Sequence, residues 1–190
     1  MKSLKKYEYI KIISIKGIPV YFYWLLNILL LLIGVTAIIN QSIPIGLVAL
    51  LFILVVHELG HAWFASRLGL NTYLIKIYPW GGVCTYESSR IEYNNNIVAW
   101  GGVVAQAIIF IPALLVMYFF GDLMSENMNE LLLYLGKYNA IIALVNLIPI
   151  KPLDGASCWR TVPLFFKYGR IQKKTKLKKR NLENYDKWRK

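Results

Sequence analysis

At 190 residues, the chain has a length suited to one domain, but its composition is not that of an ordinary soluble protein. Hydrophobic residues make up 57% and charged residues 17%, whereas typical globular chains have about 45–50% and about 25%. The composition therefore favours a membrane protein over a soluble domain.

The net charge of +12 would suit a nucleic-acid-binding protein, but its distribution along the chain argues against that class. Residues 1–16 carry a net charge of +4, residues 167–190 carry +9, and the long middle segment sums to −1. Basic flanks around a nearly neutral apolar body are what the positive-inside rule and anionic lipid headgroups favour. We therefore expect a lipid bilayer around the chain and no nucleic-acid partner.

The apolar residues are clustered into long segments. Neither 17–57 nor 93–121 contains any Asp, Glu, Lys or Arg, and apolar runs longer than about 18 residues indicate membrane spans. A secretory signal peptide would have a shorter apolar region of about 7–15 residues. The sequence predicts four transmembrane helices, at about 18–39, 44–68, 97–120 and 130–150.

An even number of spans places both termini on one side of the membrane, and the Lys-rich ends assign that side to the cytoplasm. The predicted outer loops agree, because 40–43 is uncharged and 121–129 contains only two acidic residues. We therefore expect a multi-pass protein of the cell membrane. A membrane-embedded domain is predicted at 1–166 and a basic cytoplasmic tail at 167–190.

The inner loop between the second and third spans has a strand-like pattern. Strand-forming residues occupy 71–78, a turn signal follows at 79–82, and the alternating pattern resumes at 83–87. This pattern predicts a β-hairpin, and its apolar content predicts that the hairpin enters the protein or the membrane boundary. The predicted fold class is an all-α membrane protein with about four transmembrane helices and one small re-entrant β-hairpin.

The two histidines of the chain lie in the pentapeptide His-Glu-Leu-Gly-His at 57–61. On a helix, His57 and His61 are about 40° apart on one face, and Glu58 lies about 60° from His61. This is the arrangement of zinc hydrolases, with two imidazole ligands and a glutamate as general base. Accidental packing is a poor alternative, because a charged group inside a span costs about 2.5–3.5 kcal/mol on insertion scales.

A catalytic zinc normally has three protein ligands, and with no third histidine the remaining ligand is a carboxylate or a cysteine. Asp154 is the leading candidate, since the prolines and glycine around it free the backbone at the end of the fourth span. Asp154 as the N-cap of a following helix is an equally good interpretation of the spacing. Cys84 and Cys158 are interpreted as reduced thiols that act as small apolar residues.

The motifs together resemble a known family. The pentapeptide at 57–61 is followed by Asn-Leu-Ile-Pro at 146–149 and Leu-Asp-Gly at 153–155. This order resembles the site-2 protease family of intramembrane zinc metalloproteases. Gly-Ile-Pro-Val at 17–20 and Trp-Gly-Gly at 80–82 also resemble that family.

The resemblance implies one zinc ion per chain, held by His57, His61 and Asp154. It implies that Glu58 is the general base and later the proton donor. Asn146 matches the family asparagine that helps to bind substrate or stabilise the developing oxyanion. An interhelical hydrogen bond is the alternative role for Asn146.

The third span departs from the family pattern. It reads Gly-Gly-Val-Val-Ala-Gln at 101–106, where the family usually has Gly-Pro and an Asn, and the sequence assigns no role to Gln106. The resemblance implies a zinc metalloendopeptidase that hydrolyses peptide bonds in or near transmembrane segments of membrane proteins or peptide precursors. The alternative is a non-proteolytic zinc transporter or sensor, which would need further metal ligands across the membrane.

Overall fold

Four β-strands form one mixed sheet in this computed structural model, which describes residues 8–40, 44–165 and 167. The sheet has the order β1-β2-β3-β4, in which the outer pairs are antiparallel and β2 runs parallel to β3. The strands are β1 (Tyr9–Ile15), β2 (Ile18–Tyr23), β3 (Thr72–Tyr78) and β4 (Gly81–Tyr86). The predicted hairpin is present as β3 and β4, at the edge of a sheet that the sequence interpretation did not include.

The first hairpin forms because its turn has the right chemistry. Ile15 pairs with Ile18, so Lys16 and Gly17 make a two-residue loop, and both have positive φ angles of 50° and 84°. Two positive φ values are the requirement of a type I′ turn, which matches the twist of the flanking strands. Glycine adopts such a conformation without steric cost.

One face of the sheet packs against the histidine-bearing helix. Val20, Phe22, Ile75 and Ile77 are buried on β2 and β3, and they cluster with Ala62 of that helix. Alternate residues of each strand are the buried ones, as expected where one face of a sheet is covered. This core fixes the position of the hairpin relative to the histidines.

The rest of the described chain is mostly helical. Two of the described helices, α2 (Ile45–Arg67) and α3 (Glu92–Phe120), are long and apolar enough to cross a membrane. The helices are α1 (Trp24–Asn40), α2 (Ile45–Arg67), α3 (Glu92–Phe120), α4 (Glu126–Leu133), α5 (Asn139–Asn146) and α6 (Gly155–Cys158), with a π-helical turn at Tyr134–Tyr138.

The observed segments correct the predicted spans in two places. The first span was predicted from residue 18, but Ile18–Tyr23 is β2, and the helix begins at Trp24. The fourth was predicted at 130–150, whereas the helical segment begins with α4 at Glu126, contains the π-helical turn and ends with α5 at Asn146. The mostly helical class is therefore confirmed, but the β-structure is a four-stranded sheet rather than the single predicted hairpin. Except for Lys167, the predicted tail at 167–190 lies outside the described residues.

Helices α2 and α3 approach closely at a pair of glycines. A Cβ atom built on Gly60 would clash with the backbone oxygen of Gly101, and one built on Gly101 would clash with that of Gly60. Small residues allow helix backbones to pack at this short distance inside a membrane. The contact places the His57–His61 face of α2 directly against α3.

Candidate active site

His57 and His61 converge on one point, as their spacing predicts. Their Nε2 atoms are 3.1 Å apart, and their rings lie at an interplanar angle of 88°. Both side chains are buried. One face of a single helix therefore supplies two imidazole nitrogens to the same small volume.

The opposite nitrogen of each ring faces an acceptor. The Nδ1 atom of His61 is 2.9 Å from the backbone oxygen of Val98, and that of His57 is 2.9 Å from the side-chain oxygen of Gln106. Neither oxygen carries a proton, so each Nδ1–H must be the donor. In the neutral form of each ring, the Nε2 atom therefore carries the lone pair that a metal ion would bind.

Asp154 completes the cluster. Its Oδ2 atom is 3.0 Å from Nε2 of His57 and 3.2 Å from Nε2 of His61. This oxygen is buried against the two imidazole nitrogens. Asp154 does precede α6, but its side chain makes no capping hydrogen bond. The side chain is therefore directed at the histidines rather than used as an N-cap.

Three potential ligand atoms thus lie within 3.2 Å of one another, and a cation between them would offset the repulsion of their lone pairs. Within the described part of the chain, this trio is the one group of three or more His, Cys, Asp or Glu side chains close enough to hold a metal ion. Tetrahedral zinc with ligand bonds of about 2.0–2.2 Å separates its ligand atoms by roughly 3.3–3.5 Å. The two nitrogens and one oxygen therefore fit a zinc ion with one position open.

The segment that carries Asp154 is held by several contacts. A Cβ atom on Gly155 would clash with the backbone of Leu147, so only glycine permits this close return of the chain. The indole of Trp159 donates to the backbone oxygen of Leu147 at 2.7 Å, and the indole of Trp100 donates to that of Cys158 at 3.1 Å. These contacts tie the turn to α5 and α3 and so orient the carboxylate.

Glu58 lies beside the cluster without belonging to it. Its side chain is only 3% exposed, and a Cβ atom on Gly82 of β4 would lie within 2.6 Å of its carboxyl carbon. The backbone of Cys84 hydrogen-bonds to the same carboxylate. The edge strand β4 therefore covers Glu58 and fixes its orientation next to the metal ligands.

The thiol of Cys84 does not take part in this chemistry. Burial and, to a smaller extent, the negative charge of Glu58 raise its pKa to about 12. The thiol is therefore neutral at physiological pH, whereas a metal ligand or nucleophile would be the thiolate. Cys84 and Cys158 are both free, as the sequence interpretation expected.

A cavity of about 800 Å³ opens in front of these groups. Its lining includes all three metal-ligand candidates and Glu58, together with Asn146 from the end of α5. The structure therefore brings together all five site residues predicted from the sequence. Tyr78 and Trp80 of the β3–β4 hairpin also line the cavity.

Sequence reasoning missed the surroundings of the ligands. Val98 and Gln106 orient the two imidazoles, and Gly102 leaves the space that the His57 ring occupies. Gly102 and Gln106 lie in the segment 101–106, where the sequence departs from the family pattern. That departure drew attention to Gln106 but did not indicate its role. The backbone oxygen of Val98 left no signal, because any residue type supplies it.

Substitution of Gly102 provides a test of this packing. In Gly102→Ala the new methyl group would lie about 2.6 Å from Nδ1 of His57, and such overpacking costs about 1–3 kcal/mol. We expect zinc binding to weaken by roughly 5- to 150-fold, which is the same energy expressed as an affinity. The zinc affinity of the variant is measured by competition with a chromophoric chelator.

Gly34→Ala is the matched control, since nothing lies within 4 Å of the added methyl group in α1. We expect this variant to bind zinc like the wild type. Equal zinc affinity in both alanine variants would show that Gly102 does not restrain His57.

Comparison with known proteins supports the same interpretation. The family model described as Peptidase family M50 matches residues 45–120, which extend from the start of α2 to the end of α3. A zinc metalloprotease of Methanocaldococcus jannaschii is 35% identical over 170 residues, covering 88% of this chain and 49% of that protein. A Synechocystis protein, provisionally named a zinc metalloprotease, is 28% identical over 124 residues, covering 62% of this chain and 32% of that protein.

The chain therefore spans about half or less of the length of these curated relatives. A solved structure, that of a site-2 protease from Methanocaldococcus jannaschii, is 29% identical with a TM-score of 0.63. The match covers 81% of this chain and 71% of that one. The shared sequence, the shared fold and the zinc-compatible trio lead to one conclusion: the chain belongs to peptidase family M50, the site-2 protease family.

Proposed function

We propose that the chain is an intramembrane zinc metalloprotease that hydrolyses peptide bonds in or near transmembrane segments of membrane proteins or peptide precursors. The observation that carries this proposal is the meeting of three potential metal-ligand atoms with the buried carboxylate of Glu58 in one cavity. Two imidazoles, one carboxylate and a neighbouring glutamate are the groups required for metal-assisted hydrolysis.

His57, His61 and Asp154 would hold the zinc ion. When bound, zinc supplies Lewis acidity that polarises the scissile carbonyl and lowers the pKa of water. Glu58 accepts the proton of the attacking water and then delivers it to the departing amine, which needs a carboxylate held in place but free to change protonation state. Asn146, which also lines the cavity, donates from its amide to the substrate carbonyl.

The sheet has a role in this scheme. A helical substrate hides its backbone in its own hydrogen bonds, so it must be locally extended before hydrolysis. Strand β4 is at the edge of the sheet and its residues 81–84 line the cavity. An extended substrate segment pairs with this edge as an added strand, and its side chains alternate between the cavity and the lipid.

The proposed topology has four spans, with both termini in the cytoplasm and the β3–β4 hairpin re-entrant from that side. The charge distribution of the sequence supports the orientation. Exposed apolar side chains along α1, such as Leu31 at 68% and Ile38 at 79%, support its contact with lipid. The domain at 1–166 is proposed to contain the active site, and the basic tail at 167–190 to lie on the cytoplasmic surface.

Metal removal tests the function. The protein is reconstituted in lipid vesicles with labelled transmembrane peptides and then stripped of metal with a membrane-permeant chelator. We expect cleavage to stop and to return when one equivalent of Zn²⁺ per chain is added, because the trio binds one ion.

Mass spectrometry of the products then locates the hydrolysed bonds in or beside the membrane segment. Cleavage that persists without metal, or wild-type protein that binds zinc and cleaves none of the peptides, would contradict the proposal. The second result would favour the non-proteolytic alternative.

A further inference from the structure

A pair of buried amides lies behind His57. The Oε1 atom of Gln106 is 2.9 Å from Nδ1 of His57, and the Nε2 atom of Gln106 donates to Oδ1 of Asn139 at 3.0 Å. The Nδ2 atom of Asn139 in turn donates to the backbone oxygen of Gln106 at 3.3 Å. Both amide side chains are 0% exposed, so no water competes for these contacts.

One acceptor atom determines the direction of every hydrogen bond in the series from Asn139 through Gln106 to His57. The backbone oxygen of Gln106 can only accept, so it requires the NH₂ group of Asn139 to face it. The side-chain oxygen of Asn139 must then face the side chain of Gln106. The NH₂ group of Gln106 consequently points toward Asn139, and the side-chain oxygen of Gln106 points toward His57. Reversal of both amides would place two oxygens against each other and would present an NH₂ group to the imidazole.

The consequence for His57 is a fixed tautomer. With an oxygen at Nδ1, the ring carries its proton there and its lone pair on Nε2, the atom that faces Asp154. A reversed Gln106 would favour the other tautomer, in which Nε2 is protonated and cannot bind a metal ion. We call this series, from Asn139 through Gln106 to His57, the amide relay. His61 needs no such relay, because a backbone oxygen faces its Nδ1 directly.

The helix geometry serves this contact. Asn139 is the first residue of α5 and directly follows the π-helical turn at Tyr134–Tyr138. A single π turn shifts the phase of the following helix and is common at functional sites. Gly136 within the turn lies close to α3, where a Cβ atom would be 3.2 Å from Leu114. The turn thus brings α5 against α3 with Asn139 directed at Gln106.

We propose that Gln106 and Asn139 are positioning residues that hold His57 in its metal-binding tautomer and thereby set the zinc affinity of the site. This inference rests on the proposed function, since it assumes that His57 is a zinc ligand. Outer partners of ligating histidines fix the tautomer and ring orientation, and their removal typically costs about 10- to 100-fold in metal affinity.

The experiment measures zinc affinity of the purified full chain in detergent by competition with a chromophoric chelator. Gln106→Met has a similar size but no acceptor, and we expect about 10- to 100-fold weaker binding. Gln106→Glu keeps an oxygen at Nδ1 of His57, and we expect it to bind zinc much more tightly than the methionine variant. The absorption spectrum of the Co²⁺-substituted protein reports whether His57 stays coordinated.

Asn139→Leu separates the relay from simple packing. With native Gln106, the leucine leaves the amide free to reverse, so we expect zinc affinity to fall. In the Gln106→Glu background a carboxylate has no donor end to present, so the same leucine should leave zinc affinity unchanged. A role in packing alone would lower the affinity equally in both backgrounds.

Two outcomes would overturn the amide relay. One is a zinc affinity of Gln106→Met equal to that of the wild type. The other is an equal change in zinc affinity on Asn139→Leu in both backgrounds, and this result is decisive even if the methionine variant does not fold. Both require that the wild type binds zinc tightly and loses it in His57→Ala. Failure of that reference measurement would instead refute the metal site on which the proposed function depends.

Discussion

Glu58→Gln is expected to abolish peptide hydrolysis while one zinc ion per chain remains bound. The amide occupies nearly the same volume, so it fits beneath Gly82, where the Glu58 side chain is closely packed. It cannot accept a proton at neutral pH, and loss of a general base typically costs about 10²- to 10⁴-fold in rate. Because Glu58 also returns the proton to the leaving amine, we expect the loss to lie at the upper end of that range.

The measurement combines zinc content with cleavage of a co-expressed membrane substrate, followed by immunoblotting. Glu87→Gln is the matched control, since Glu87 lies just beyond β4, is exposed, and hydrogen-bonds to Asn71 away from the cavity. This control should retain wild-type cleavage. Substantial cleavage by Glu58→Gln would refute the assignment of the base, and loss of zinc would show that Glu58 supports the metal site instead.

The metal-binding face of α2 could be predicted from the sequence because it depends only on helix geometry. Residues spaced four apart lie on one face of any α-helix, and His57 and His61 do meet at 3.1 Å. The third ligand could not be derived in the same way. Spacing left Asp154 equally suited to an N-cap, and its true direction depends on a chain return held by Gly155, Trp100 and Trp159.

Strand β2 was missed because the sequence interpretation weighed hydropathy above periodicity. The segment Ile18–Tyr23 is continuously apolar, like the helix that follows it, yet only Val20 and Phe22 are buried. Its parallel partner is β3, about 55 residues later in the chain. Pairing over such a distance is decided by the packing of the sheet on α2, which no local pattern records.

The amide relay lay beyond prediction for a different reason. Gln106 and Asn139 are on separate helices, and the π-helical turn that aligns them interrupts the regular spacing on which helical patterns depend. A polar residue in an apolar span indicates function or a hydrogen-bonded partner. The sequence could therefore draw attention to Gln106 but could not identify the atom it serves.

Asp154→Ala is expected to remove zinc binding more completely than any change outside the ligand set. Loss of an outer partner costs about 10- to 100-fold in metal affinity, and removal of one of three protein ligands should exceed that. Zinc binding to the folded state raises stability, by about 4 kcal/mol when the free metal is 1,000 times the dissociation constant. In the wild type, added Zn²⁺ should therefore raise the melting temperature, and in Asp154→Ala it should not.

The metal-free protein is the reference for this test. Without zinc, the Oδ2 atom of Asp154 is 3.0 Å from Nε2 of His57 and 3.2 Å from Nε2 of His61, so the carboxylate still interacts with both imidazoles. The change in melting temperature of the metal-free Asp154→Ala variant measures that interaction, and only the additional shift on addition of Zn²⁺ reports metal binding. Asp122→Ala, an exposed acid in the turn after α3, should keep the full response to Zn²⁺. An undiminished melting shift in Asp154→Ala would mean that the two histidines bind the ion without this carboxylate.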